Sequence, residues 1–123
     1  MRRCLSFVAM LILLVACNNT TPEPTPTLDP IAAQGRTIFN QNCASCHALA
    51  PDTVIVGPSL AGIAARAATR LPDLDARGYI ELSILKPDSF TVEGFEDAMP
   101  KDFGKKLTGE ELDALVAFLM TLE

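Results

Sequence analysis

One motif of five residues organises this sequence: Cys43-Ala44-Ser45-Cys46-His47. Its two cysteines stand three positions apart, about one helical turn, so both sulfurs can bond to the two vinyl-derived carbons of one porphyrin. The histidine that follows, the only one in the chain, can then ligate the iron on one face of the ring. The pattern therefore predicts one covalent haem c, attached through Cys43 and Cys46, with His47 as the proximal ligand.

Other uses of a cysteine pair find less support. A zinc site needs further ligands, but outside the predicted signal only Cys17 remains and no second histidine exists. A thioredoxin-like redox pair needs a strand-helix-strand unit, which the sequence does not predict. A disulfide between Cys43 and Cys46 would close a loop too short to constrain the unfolded chain much. These three readings remain as weaker alternatives.

The sixth iron ligand must be sought among the methionines. Outside the predicted signal there are two, Met99 and Met120. Met120 adjoins the apolar stripe of the last predicted helix, where a methionine is more often core filler than ligand. Met99 precedes Pro100 in an irregular stretch. A methionine in such a loop is poorly explained as a core residue and well explained as a ligand of the iron. We therefore expect Met99 to be the ligand, and His/Met ligation favours electron transfer over oxygen or peroxide chemistry.

Composition and charge exclude several classes of protein. The 123 residues, 49% of them hydrophobic, suffice for one small domain and exclude a multidomain enzyme. The net charge of −5 argues against nucleic-acid binding. A single histidine excludes any metal site that needs two imidazoles within one copy of the chain.

The first 30 residues predict export and anchoring. Residues 1–16 combine two arginines with an uncharged apolar run, too short for the roughly 30 Å hydrocarbon core and typical of a signal peptide. Leu14-Val15-Ala16-Cys17 resembles the lipobox of bacterial lipoproteins, which implies a lipid on Cys17; an ordinary cleaved signal is the alternative. Residues 17–30 are rich in threonine and proline and predict an extended tether that reaches up to about 40 Å.

Residues 31–123 predict an all-α domain of about three to five short helices. Asp29-Pro30 offers a cap and a first-turn proline for a helix from Pro30 to Cys46. A second helix is predicted from Ala76 to Lys86 behind the cap Asp75. Thr108 and Glu111 form a capping box before an apolar stripe that runs to the C-terminus, through Leu112, Leu115, Val116, Leu119 and Leu122.

From about residue 31 to 122 the chain resembles class I cytochromes c, small monohaem electron carriers, and especially bacterial haem domains of respiratory chains. The residues that carry the resemblance are Gly35, Phe39, Cys43-Ala44-Ser45-Cys46-His47, Gly57-Pro58-Ser59-Leu60, Arg66, Tyr79 to Asp88, Ala98-Met99-Pro100 and Ala114 to Leu119. The resemblance implies a cytochrome c fold packed around one covalently bound haem.

The resemblance also implies roles for single residues. The carbonyl of Pro58 would accept a hydrogen bond from Nδ1 of His47 and orient the imidazole. Leu60 would lie against the porphyrin, and Arg66 would face a haem propionate. Gly35 would let the first and last helices cross closely near Phe118.

Together these features predict a membrane-tethered single-electron carrier rather than an enzyme. It would be a monomer that cycles between Fe(II) and Fe(III) among donor and acceptor complexes of respiration or photosynthesis. It would be extracytoplasmic and lipid-anchored to a bacterial membrane, on the periplasmic side or on the outer face of the cytoplasmic membrane. Two alternatives stay open: a haem enzyme or gas sensor with a labile sixth ligand, and a fixed haem relay subunit of a larger complex.

Overall fold

A computed structural model describes residues 27–123, so the predicted signal and residues 17–26 of the predicted tether lie outside the described residues. Within the described range the chain forms five α-helices and one short 3-10 helix, and its only β feature is an isolated bridge between His47 and Val54. The elements are α1 (Pro30–Asn42), α2 (Ile63–Ala67), α3 (Ala76–Leu85), a 3-10 helix (Pro87–Ser89), α4 (Phe103–Lys106) and α5 (Gly109–Leu119). The predicted all-α class is confirmed.

Helix α1 begins as predicted and ends earlier. The carboxylate of Asp29 accepts a hydrogen bond from the backbone N–H of Ile31 at 2.8 Å, and Pro30 occupies the first turn. The helix ends at Asn42, four residues before the predicted end, and the chain then turns through the motif. The backbone N–H groups of Cys46 and His47 both bond to the carbonyl of Cys43, at 3.0 and 2.9 Å. The motif therefore occupies a tight turn that directly follows the helix.

The caps predicted for α3 and α5 are confirmed. Asp75 accepts from the N–H of Gly78 at 2.7 Å, and Thr108 and Glu111 make both bonds of the capping box. The apolar stripe is helical only to Leu119, because the chain leaves the helix at Met120. Met120 is 36% exposed, so the expectation that it fills the core was wrong.

The crossing of α1 and α5 forms the centre of the core. Gly35 lies where the helices meet: a Cβ there would overlap the carbonyl of Ala114 and lie 2.8 Å from Cβ of Phe118. One turn along, the rings of Phe39 and Phe118 pack with centroids 5.6 Å apart. Only glycine at this position lets the backbones approach so closely, as the resemblance implied.

Of the remaining helices, α3 packs against α5, and α2 and α4 pack against α3. Arg77 on α3 bridges Glu81 on its own helix at 2.8 Å and Asp113 on α5 at 2.7 Å, and all three side chains are partly or largely exposed. Between α3, α2 and the loops on either side the fold leaves a large cavity, described below. Within residues 27–123 no helix has the length and apolar character needed to span a membrane.

Candidate functional site

The loops after α1 and α3 enclose, together with α2 and α3, a cavity of about 930 Å³. Both motif cysteines, His47 and Met99 line it, so the fold brings the predicted attachment and ligand residues to one place. Its apolar walls include Leu60, Ile63, Ile80, Ile84, Phe90, Phe95 and Phe103. A cavity of this size with apolar walls suits a large planar hydrophobic group.

Both motif cysteines are half-buried at the edge of this cavity and form no disulfide. Burial raises the pKa of the Cys43 thiol to about 11, and the negative charge of an ionised Cys46 adds to the rise. Before the haem is attached, Cys43 is therefore a protonated thiol at neutral pH, as expected of a cysteine whose surroundings are apolar.

His47 is held in one orientation by a single backbone group. Its Nδ1 lies 2.9 Å from the carbonyl oxygen of Pro58. A carbonyl only accepts, so Nδ1 is the donor, and in the neutral ring Nε2 then carries the free electron pair. A Cβ on Gly57 would lie 2.9 Å from Nδ1 and 3.0 Å from Nε2, so the glycine leaves the space that the imidazole fills.

The backbone of the loop 57–61 is tied to the chain that follows the motif. The N–H of Gly57 bonds to the carbonyl of Cys46 at 2.9 Å, and the N–H of Leu60 bonds to the carbonyl of Ala48 at 2.8 Å. The hydroxyl of Ser59 donates to the carbonyl of Ala50 at 2.7 Å. The carbonyl that orients His47 therefore belongs to a loop with several fixed points, and Leu60, predicted to lie against a porphyrin, lines the cavity from it.

Arg66 holds the same loop from α2. Its guanidinium donates to the carbonyl of Ser59 at 2.8 Å and to the carbonyl of Ala61. Arg66 also lines the cavity, so its place there is compatible with the predicted propionate contact. Sequence reasoning missed this support of the loop, because nothing local to Arg66 indicates which carbonyls five and seven residues earlier fold back toward it.

Met99 lies on an irregular segment between the 3-10 helix and α4. Its side chain is half-buried, packs against the hydrophobic core and lines the cavity. Few backbone hydrogen bonds hold this segment: the N–H of Phe95 bonds to Val92 at 3.0 Å, and that of Ala98 bonds to Glu96 at 2.9 Å. Met120, by contrast, does not line the cavity.

Charged residues stand on both sides of Met99 in the sequence and form ion pairs with one another. The ammonium of Lys101 lies 2.7 Å from a carboxylate oxygen of Asp97 and 3.9 Å from one of Asp88. The hydrogen bond with Asp97 raises the pKa of Lys101 above its usual value. Both ion pairs are exposed, so they contribute little to global stability, and the longer one, from Lys101 to Asp88, connects this segment to the 3-10 helix.

Three phenylalanines complete the wall on this side, and sequence reasoning did not single them out. Phe90, Phe95 and Phe103 line the cavity, and Phe90 packs edge-on against Tyr79 with centroids 5.8 Å apart. A signal was present: three large aromatic residues within a stretch that has no helical or strand periodicity are unusual for a solvated loop.

The residues present fit a covalent haem. Two thiols, an imidazole with Nε2 free, a thioether and apolar walls converge on one cavity, and a glycine supplies the room for the imidazole. This donor set matches that of c-type haem proteins.

The comparisons with known proteins agree with this site. The sequence profile of the family described as Cytochrome c matches residues 32–123. The chain is also 29% identical over 120 residues to a cytochrome c6 of Rippkaea orientalis, a match that covers 98% of this chain and 93% of that protein. The chain is thus an electron-transfer protein rather than an enzyme and binds haem c through Cys43 and Cys46. The family model covers most of the chain, and the turn of the motif and the cavity agree with it. The chain therefore belongs to the cytochrome c family.

Proposed function

We propose that this protein is a membrane-tethered carrier of single electrons whose haem iron is ligated by His47 and Met99. The observation that carries the proposal is that both side chains line the cavity into which the two cysteines also open. When bound, the haem supplies an iron that changes between the ferrous and ferric states.

The residues of the chain have separate tasks in this function. The carbonyl of Pro58 accepts the hydrogen bond from Nδ1 of His47, so that Nε2 would keep its electron pair for the haem iron. Met99, which lines the same cavity, would bind the iron through its thioether sulfur and would so exclude exogenous ligands. The apolar walls, of which Leu60 is part, keep water from the cavity, so that little solvent has to reorganise when the charge changes.

A partner protein would approach the cavity near residues 54–56. Val54 and Val56 line the cavity and are 62% and 55% exposed, and Ile55 between them is 52% exposed. Three consecutive exposed aliphatic side chains form an apolar surface at the cavity's edge. This surface supports brief contact with donor and acceptor proteins, in keeping with a monomeric carrier.

Met99 ligation is tested by replacing the thioether. The variant Met99→Leu keeps the side-chain volume but offers no ligand. We expect the ferric protein to lose its sulfur-to-iron charge-transfer band and its reduction potential to fall by a sizeable part of the about 0.8 V that axial ligands span. The matched control Met120→Leu changes a methionine outside the cavity and should keep both properties.

The opposite result would favour the alternative reading of the site. If the unaltered ferric protein lacks the charge-transfer band and the ferrous protein binds carbon monoxide readily at neutral pH, Met99 is not a firm ligand. The protein would then resemble a haem enzyme or gas sensor with a labile sixth position.

The tether rests on residues 1–30, where the lipobox-like Leu14-Val15-Ala16-Cys17 precedes a threonine- and proline-rich stretch. Mass spectrometry of protein extracted from membranes should show a mature chain that begins at Cys17 and carries both lipid and haem. Cys17→Ser should release a haem-loaded protein from the membrane to the extracytoplasmic space. If Cys17 proves to be unmodified, the proposed lipid anchor is wrong. If the protein purifies in a fixed ratio with one large complex, it is a fixed relay subunit and not a mobile carrier.

A further inference from the structure

The segment of residues 91–101, which carries Met99, has almost no polar contact with the rest of the fold. Among residues 28–123, its backbone hydrogen bonds join residues of the segment to each other. Its one side-chain hydrogen bond also stays inside the segment. In the same range, the ion pair of Lys101 with Asp88 on the 3-10 helix is the only polar link to another element. One exposed lysine therefore supplies the whole of that link.

The two ion pairs of Lys101 connect different parts of the chain. Its ammonium lies 2.7 Å from a carboxylate oxygen of Asp97, so this pair closes a turn of chain with Met99 at its middle. The second pair, 3.9 Å long, fastens the turn to Asp88. Asp88 follows Pro87, which is buried and lines the cavity, so the 3-10 helix is a fixed point of the wall. Together the two pairs connect the turn around Met99 to this wall.

Exposed ion pairs contribute little to the free energy of global unfolding. A segment with few hydrogen bonds, however, opens locally at a much smaller cost than the whole domain unfolds. Weak interactions therefore have a large share in deciding how often residues 91–101 leave the wall. We propose that Lys101 is a positioning residue, which keeps the thioether of Met99 in its place in the cavity. The inference rests on the ligation by Met99 that is proposed above.

Opening of the segment can be measured without a redox partner. Whenever residues 91–101 leave the wall, the sixth position at the haem iron is accessible to a small ligand from solution. Free imidazole is a suitable probe because it offers the same nitrogen donor as histidine. At high imidazole concentration, its binding to the ferric protein proceeds no faster than the segment opens. The limiting rate of imidazole binding therefore reports the opening rate.

The experiment compares haem-loaded, ferric variants of the full chain at mildly alkaline pH, where imidazole is mostly uncharged. Lys101→Gln should raise the limiting rate about fivefold, the effect of two exposed ion pairs, and should leave the thermal midpoint of unfolding unchanged. Lys101→Arg keeps the charge and should restore most of the slow rate. The matched control Lys105→Gln removes the same charge from α4, where the lysine is exposed and belongs to none of the ion pairs of the described residues. It should bind imidazole like the unaltered protein.

Two further measurements separate the ion pairs from a general loss of charge. In the Asp97→Asn background, Lys101→Gln should have a much smaller effect, because the shorter ion pair is already lost. At about 1 M salt, where the Debye length is about 3 Å, the unaltered protein should approach the imidazole-binding rate of Lys101→Gln.

Failure of the positioning role and failure of the ligation give different results. If the unaltered ferric protein shows its sulfur-to-iron charge-transfer band and Lys101→Gln binds imidazole no faster, Lys101 has no positioning role and the ligation by Met99 stands. An effect of Lys105→Gln as large as that of Lys101→Gln also overturns the inference. If the unaltered protein lacks the band, the ligation is wrong and the inference is overturned with it.

Discussion

Replacing Cys46 by serine is expected to abolish nearly all folded, haem-loaded protein. The variant cannot form the second thioether bond, and the turn that presents His47 keeps only the bond of Cys43 to the ring. The same outcome is expected for His47→Ala, which removes the imidazole that fills the space beside Gly57. Haem staining of a denaturing gel, with helix content measured by circular dichroism, will report covalent haem and folded protein separately.

The size of the effect follows from the cavity. The cavity of about 930 Å³ has many apolar side chains in its walls, and without the haem these side chains lose the group they pack against. A small domain is stable by only about 5–15 kcal/mol, so losing this much packing is a large loss. Without the haem, the apolar side chains that line the cavity must either collapse onto one another or be exposed to water. The haem is in this sense part of the hydrophobic core, and its loss should unfold the domain.

The control for this experiment is Cys17→Ser, which also removes one cysteine but leaves the motif intact. That variant should stain for haem and keep the helix content of the unaltered domain. A Cys46→Ser protein with an unchanged haem spectrum and unchanged thermal midpoint would contradict both the attachment and the structural role of the haem.

The features that could be predicted from the sequence depend on short-range interactions. Asp75 caps α3 through the N–H of Gly78, and Thr108 and Glu111 cap each other across three residues. In such cases donor and acceptor are near neighbours in the chain, so the residue types alone indicate the bond. The motif is of the same kind, because its cysteines and histidine occupy one turn.

The elements that could not be predicted depend on distant packing. Helix α2 has five residues, follows Gly62, whose φ is +65°, and has no side-chain cap. Helix α4 has four residues and again no side-chain cap. Helices this short are not stable by themselves, so their position is set by the groups packed around them. For the same reason the sequence did not indicate that Arg66 donates to the carbonyls of Ser59 and Ala61, since that contact arises only when the chain is folded.

Met99 lies between these two cases. Its place beside a proline in an irregular stretch was visible in the sequence, and in the folded chain it lines the cavity together with Phe95 and Phe103. Which residues share that wall depends on how distant segments pack. Sequence reasoning could therefore select the residue but not the wall that carries it.

The second large effect is expected at the crossing of α1 and α5. Glycine inside a helix is normally about 1 kcal/mol less favourable than alanine, so Gly35→Ala should stabilise α1 taken alone. In the folded protein the added Cβ would overlap the backbone carbonyl of Ala114 and crowd Cβ of Phe118. A backbone group cannot rotate away as a side chain does, so the two helices must separate and loosen the packing of Phe39 on Phe118.

We therefore expect Gly35→Ala to lower the free energy of unfolding of the haem-loaded protein by about 3 kcal/mol, at the upper end of overpacking costs. Gly109→Ala is the matched control: it makes the same change in α5, where a Cβ would meet nothing within 4 Å, and it should be neutral or slightly stabilising. Denaturant unfolding measures both variants, with unchanged slopes indicating an unchanged unfolding reaction. Equal midpoints for the two variants would mean that α1 and α5 can separate at no cost. In that case the close crossing would not be the contact that holds the first and last helices together around the haem.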